Sequence, residues 1–340
     1  MSEKLQPFLS KLSRGEDLSR VEAEVAFEII MSGEAHEAQI GAFLMGLRLK
    51  GETIDEITGA VSIMRSKANK VVAPKDAIDI VGTGGDKSGT YNISTAAALV
   101  TAGCGITVAK HGNKALSSKT GTADVLSELG VNLDAEIKVV EKCINEAGIG
   151  FMMAPKHHSA MRFVGPARVA LGVPTIFNIL GPLSNPAGVR RQATGVFDQR
   201  WVEPMAQTLQ NLGSEAAWVF HGSDGLDELT TTGPSFVAEL KDGKVSTFNI
   251  SPSDYGIPLS SPEALIGGDS RANAGALMGL LKGQTGPYRD IVILNAASAL
   301  YISSQVDNLA EGIQRAQKSI DEGKAQLALN KLIKISNANL

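Results

Sequence analysis

The chain has 340 residues, 43% of them hydrophobic, enough for two cores or for one large α/β core with a smaller unit attached. A net charge of −4 offers no basic face to nucleic acid, so a polyanionic substrate must be met by local cations or a metal. The two cysteines, Cys104 and Cys143, lack metal-ligand spacing and read as core thiols, and no apolar run approaches the roughly 20 residues of a membrane span, so a cytoplasmic protein without a membrane partner is expected.

The first 70 residues read as helices. Ser19 and Glu22 form a capping box, with Val21, Val25 and Ile29 following at helical spacing until Gly33. Ile40, Phe43, Leu44 and Leu47 make the next stripe, ended by Gly51; Thr53 and Glu56 then cap a helix carrying Ile57, Ala60, Val61 and Met64. Faces this apolar need cover, either in a domain core or across a dimer. The pattern changes at Val71-Val72-Ala73-Pro74. Short apolar strands at 77–81, 106–109, 149–153, 216–220 and 290–294 then alternate with helices at 94–102 and 123–129, which implies a mainly parallel sheet. Asp242-Gly243, between runs at 235–240 and 245–250, signals a hairpin. Residues 159–187 interrupt the alternation with a helix pattern and a Pro-rich loop. The expected fold class is α/β: a small N-terminal helical domain, 1-70 joined by about 159-187, plus a larger α/β domain of 71-158 and 188-340 with a mainly parallel central sheet.

Gly82-Thr83-Gly84-Gly85-Asp86 follows the first strand. Such glycines let backbone N–H groups close on an anion, or simply make a tight turn. The loop is not a Walker loop, because no Gly-Lys-Ser/Thr ends it, and Lys87 in sixth place breaks a dinucleotide fingerprint. Asp86 favours a ribosyl or metal-linked contact. Asn92-Ile93-Ser94-Thr95 opens a helix, where Ser94 and Thr95 suit N-caps and equally a phosphate at the helix N-terminus. Lys110-His111-Gly112-Asn113 follows the strand at 106–109, at the carboxyl end where open α/β sheets bind ligands. Ser117-Ser118-Lys119-Thr120-Gly121-Thr122 adds hydroxyls and an N-cap before the helix at Ala123. Asp227-Glu228 lies just beyond the strand at 216–220. Adjacent carboxylates are commonly solvated surface, yet a diphosphate leaving group needs Mg²⁺, which such oxygens would hold.

In order and spacing these segments, with 158–168 and the run Phe177-Asn178-Ile179-Leu180-Gly181-Pro182-Leu183-Ser184-Asn185-Pro186, resemble the anthranilate phosphoribosyltransferase family over nearly the whole chain. The resemblance implies phosphoribosyl pyrophosphate and anthranilate as substrates, Mg²⁺ as cofactor, and a homodimer joined through the helical domain. Position by position it implies that Gly82, Gly84, Gly85, Asp86, Thr90, Asn92, Ser94, Thr95, Lys110 and Thr122 hold the phosphoribosyl pyrophosphate. Gly82, His111, Asn113, His158, Arg168 and Pro182 would line the anthranilate site, and Ser94, Asp227 and Glu228 would serve the metal. Arg168, in an otherwise apolar stretch, suits a carboxylate through a bidentate pair. Nucleoside phosphorylases of related fold carry Lys-His-Ser where this chain has Lys110-His111-Gly112, and a nucleic-acid-binding relative would want a basic groove. No Gly-x-Ser-x-Gly elbow occurs, and His36-Glu37 lacks the second His of a zinc helix.

Overall fold

The computed structural model describes residues 3–114 and 120–338. Four helices open it: α1 (Gln6–Ser13), α2 (Arg20–Met31), α3 (Glu37–Lys50) and α4 (Ile54–Ser66). The capping boxes at Ser19/Glu22 and Thr53/Glu56 form, satisfying N–H groups that a helix start leaves open. Helix α2 has two apolar faces. It buries Ala23, Ala26, Phe27, Ile29, Ile30 and Met31, so of the expected stripe Ile29 is buried while Val21 and Val25 stay 67% and 46% exposed. Phe27 decides the orientation: its ring meets Phe43 and Phe177 edge-on, at 5.6 and 5.8 Å between centroids, and an aromatic in the core outweighs two valines.

The rest of the chain alternates: β1 (Ile78–Gly82), α5 (Ile93–Gly103), β2 (Val108–Gly112), α6 (Thr122–Glu128), α7 (Ile137–Lys142), β3 (Ile149–Met153), α8 (Ala154–His157), α9 (Gly165–Leu171), α10 (Phe177–Leu183), β4 (Arg191–Gly195), α11 (Val202–Asn211) and β5 (Ala216–Gly222). A hairpin of β6 (Ser235–Lys241) and β7 (Lys244–Ile250) follows, turning through Asp242 and Gly243 at positive φ, and then α12 (Ser270–Leu281), α13 (Pro287–Ile302), α14 (Leu309–Asp321) and α15 (Lys324–Ser336). The sheet order is β3-β2-β1-β4-β5-β6-β7, parallel from β3 to β5 and antiparallel beyond. Val164, Ala167, Phe177 and Leu180 share a hydrophobic core with Phe27 and Phe43, and through α11 that core continues onto one face of the sheet at Ala217 and Val219. A second core covers the other face under α5, α12, α13, α14 and α15. Among the described residues no helix is long and apolar enough to cross a membrane.

Three elements differ from the sequence reading. Residues 290–294 lie in α13, not in a strand. An unbroken apolar run fits either period, and here Pro287 in the first turn and burial all round make a helix packed against α5 and α14. Strand β4, Arg-Gln-Ala-Thr-Gly, has no apolar run to announce it; Gln192 and Thr194 are buried, and the Gln192 amide donates to the Pro182 carbonyl and to Thr194 Oγ1. Strand β2 starts two residues later than expected and takes in Lys110 and His111.

Candidate active site

From β1 the chain steps outward through β2 to β3, then returns to β4 and leaves in the other direction. The crevice between the carboxyl ends of β1 and β4 is therefore the switch point at which open α/β sheets bind ligands. There the two strands end in register on Gly82 and Gly195. A Cβ on Gly82 would lie 2.3 Å from Asp227 Oδ2, and one on Gly195 would lie 1.6 Å from the Asp227 carbonyl oxygen. The absence of two side chains thus lets the loop after β5 lean across the switch point.

Asp227 Oδ2 accepts the Gly84 N–H at 2.7 Å. Gly84 and Gly85 take φ of 66° and 83°, a region open without strain only to glycine. Burial, and then the charge of Asp86, push the Asp227 carboxyl up to about 7. Burial and Asp227 push Glu228 well above the usual carboxylate range, and Glu228 accepts the Ser94 N–H at 3.1 Å in the first turn of α5. Asn295 of α13 fixes this acidic pair from behind: it accepts the Leu229 N–H at 3.0 Å and donates to the Leu229 carbonyl at 2.9 Å.

Lys110 is only 2% exposed and donates to the Ile80 carbonyl and to Ser94 Oγ. Burial lowers its pKa, against the pull of Asp79, Glu228 and Asp227. Thr95 and Thr122 meet through their hydroxyls at 3.2 Å. Ser94 and Thr95 do not cap α5. They lie inside its first turn; Asn92 is the N-cap residue, and its side chain instead accepts from Asn273 at 2.9 Å. Likewise Gly121, not Thr122, stands before α6. Asn273 also takes the Gly268 N–H at 2.7 Å, and Thr90 bridges to Ile266. The segment 266–273 therefore walls the crevice on the side of Thr90 and Asn92. Its one visible signal in sequence is Gly267-Gly268 ahead of the N-cap Asp269. Asp86 binds Ser88 and Gly85 stays exposed, while Ser117, Ser118 and Lys119 lie outside the described residues.

On the other face of β2, the His111 ring meets the His158 ring at 5.1 Å. The backbones of Gly181 and Ser184, on either side of Pro182, stand against these two rings. Burial and the neighbouring histidines depress both, His111 well below the ordinary range and His158 to about 4. His111 Nε2 and both ring nitrogens of His158 are buried without a well-formed hydrogen bond. Arg168 is half-buried in α9, its guanidinium 5.5 Å from the Phe177 ring centre, and burial lowers its pKa. No ion pair meets Arg168 among the described residues. Asn113 accepts the Lys114 and Ala123 N–H groups and is not hydrogen-bonded to the histidine pair.

Residues 6–68 match a model described as glycosyl transferase family, helical bundle domain, and residues 74–326 match glycosyl transferase family, a/b domain. The anthranilate phosphoribosyltransferase of Rhodopseudomonas palustris strain TIE-1 is 58% identical over 330 residues, covering 97% of this chain and 98% of that one. This chain belongs to the anthranilate phosphoribosyltransferase family. Among solved structures, the anthranilate phosphoribosyltransferase of Thermus thermophilus superposes with a TM-score of 0.93 at 40% identity, over 97% of this chain and 99% of that one. The Saccharomyces cerevisiae enzyme in complex with PRPP and Mg superposes with a TM-score of 0.90 at 28% identity, over 99% and 98% of the two chains.

Whether the acidic pair of this family member suits a metal depends on its donor atoms. Among the described residues no three His, Cys, Asp or Glu side chains converge as a preformed metal cage. The donor set is nevertheless all oxygen: burial first, and then the charge of Asp86 on Asp227 and of Asp227 on Glu228, push these two carboxyls upward. Such a set suits a hard divalent cation whose remaining ligands are substrate oxygens and water.

Proposed function

We propose that the chain transfers the 5-phosphoribosyl group of phosphoribosyl pyrophosphate to the amine of anthranilate, giving N-(5-phosphoribosyl)anthranilate and pyrophosphate, in tryptophan biosynthesis. The observation that carries the reading is the switch point itself. A left-handed glycine loop, the first turn of α5, buried Lys110 and two crowded carboxylates all meet there, within one chain 58% identical to an anthranilate phosphoribosyltransferase. In this reading Gly82, Gly84, Gly85, Asp86, Thr90, Asn92, Ser94, Thr95, Lys110 and Thr122 hold the phosphoribosyl pyrophosphate. Ser94, Asp227 and Glu228 would hold Mg²⁺, which when bound supplies positive charge to the departing pyrophosphate.

Anthranilate's amine is neutral at pH 7, so it needs placement at the anomeric carbon more than it needs a base. Gly82, His111, Asn113, His158, Arg168 and Pro182 form the acceptor site, with Arg168 facing the carboxylate. Displacement at that carbon passes through an oxocarbenium-like state. Lys110 and the loop N–H groups are fixed before the pyrophosphate charge develops, and one such donor is worth roughly 3 kcal/mol.

Residues 1-70 with about 159-187 form the helical domain in this reading, and 71-158 with 188-340 the α/β domain; the core shared by Phe27, Phe43, Val164 and Phe177 supports the division. The enzyme is taken as a cytoplasmic homodimer joined through the helical domain, supported by the exposed Val21 and Val25. The test is anthranilate fluorescence in the presence of protein, phosphoribosyl pyrophosphate and Mg²⁺. The expected result is a loss of signal that a chelator prevents; no loss with folded protein overturns the reading.

A further inference from the structure

Strands β1 and β2 start as an ordinary parallel pair, Ile78 beside Val108, with the Ile78 N–H donating to the Thr107 carbonyl at 3.0 Å. Their pairing then stops, although β1 with β4 and β2 with β3 stay paired along their full lengths. Had the ladder continued, Ile80 N–H would donate to the Ala109 carbonyl, and His111 N–H to the Ile80 carbonyl. Buried backbone groups must find partners, and here each of the four finds a side chain. The Ala109 carbonyl accepts from Asn185 Nδ2 at 2.9 Å, the His111 N–H donates to Asp79 Oδ1 at 3.2 Å, the Ile80 carbonyl accepts from Lys110 Nζ, and the Ile80 N–H stands against the Asp79 carboxylate. Asn185 Nδ2 also donates to Asp79 Oδ2 at 2.7 Å, which closes the set. Asp79 and Asn185 are both buried.

We infer that Asp79 and Asn185 are positioning residues for the transfer reaction: by replacing the ladder they hold β1 and β2 apart at the active end and fix where Lys110 and His111 point. Successive strand residues face opposite sides of a sheet. Lys110 accordingly reaches Ser94 on the phosphate side while His111 lies against His158 on the acceptor side. Zipping the ladder shut would shift both side chains together, and with them the relative placement of the two substrates. Asn185 extends the clasp: its Oδ1 accepts the Ala187 N–H at 2.8 Å, fixing the turn that leaves α10.

The inference rests on the reaction proposed above, and its test separates the two. Asp79→Asn places an amide N–H against donors, and Asn185→Ser removes both of that residue's donated bonds, so the variants break the clasp from opposite sides. Steady-state kinetics well below the melting temperature should give a kcat lowered about tenfold or more in each, with both KM values changed less than threefold, as expected when reacting groups are misplaced but still bound. Hydrogen exchange should rise across 106–114 and stay unchanged across 149–153. Overturning results are a kcat within twofold of the unsubstituted protein in either folded variant, or a loss that only follows the fraction unfolded. If the unsubstituted protein itself turns over nothing, the reaction fails, and the exchange pattern alone decides whether the clasp exists.

Discussion

Arg168 is half-buried over the Phe177 ring, and among the described residues no acidic group neutralises it. In the proposed reading this guanidinium meets the single carboxylate of anthranilate. Losing a charged hydrogen-bond partner costs about 1.5–3 kcal/mol, so Arg168→Ala should raise the anthranilate KM by roughly tenfold to a hundredfold. The KM for phosphoribosyl pyrophosphate should stay nearly constant; an unchanged anthranilate KM removes Arg168 from the site. His158 makes a prediction of a different kind. Its folded pKa of about 4 lies below the ordinary 6.5, so between those values the unfolded chain binds the extra proton. Its contribution is therefore intact above pH 6.5 and is lost as pH falls towards 4, by roughly 3 kcal/mol at the acid end. His158→Phe removes that loss. Denaturant unfolding at pH 7 and pH 4.5 should show the variant gaining on the unsubstituted protein as the pH drops. A stability gap that does not move with pH would mean that His158 titrates normally.

At the scale of elements, the crossing of β1 and β4 by the loop after β5 depends on two hydrogens where side chains could be. Gly195→Ala would put a Cβ within 1.6 Å of the Asp227 carbonyl, a clash that only movement of the loop relieves. Because Asp227 and Glu228 ride on that loop, activity should fall by two orders of magnitude or so, the loss typical when a charge-stabilising group is displaced. Added Mg²⁺ should then no longer raise the melting temperature. Gly243→Ala, at the distant hairpin turn, is the control: it strains a positive φ and lowers stability, but should spare kcat. The glycine loop itself was legible in sequence, because an apolar strand runs into it. The part played by Gly195 was not, since β4 has no apolar run and its core positions are filled by Gln192 and Thr194. Strand β3 was readable to the residue because it is an apolar run set off by Gly148 before it and Pro155 just after it. Helix α13 was misread for the converse reason: a run buried on every side loses the periodicity that tells helix from strand. The clasp of Asp79 and Asn185 joins residues 106 positions apart, and the grip of Asn295 on Leu229 spans 66, distances that no local pattern records.

For the whole molecule, the second apolar face of α2 is the feature left open. Val25 and Ile29 line a groove of about 610 Å³ together with Phe8, Ile63, Lys4, Glu24, Glu28 and Glu34. Exposed apolar side chains set among charged ones are the make-up of an interface, and a two-fold contact would set this patch against itself. Val25→Glu adds a fourth carboxylate beside Glu24, Glu28 and Glu34, and a two-fold axis would present that charge twice, so the substitution should break the pair without touching the buried face of Phe27 and Ile30. Light scattering should give twice the 35.6 kDa chain mass for the unsubstituted protein and the single mass for Val25→Glu, with the same circular dichroism. Every proposed site residue comes from one chain, so the monomeric variant should still consume anthranilate. An unsubstituted protein of single mass at micromolar concentration would mean that this face is solvated and that the helical domain does not join two copies.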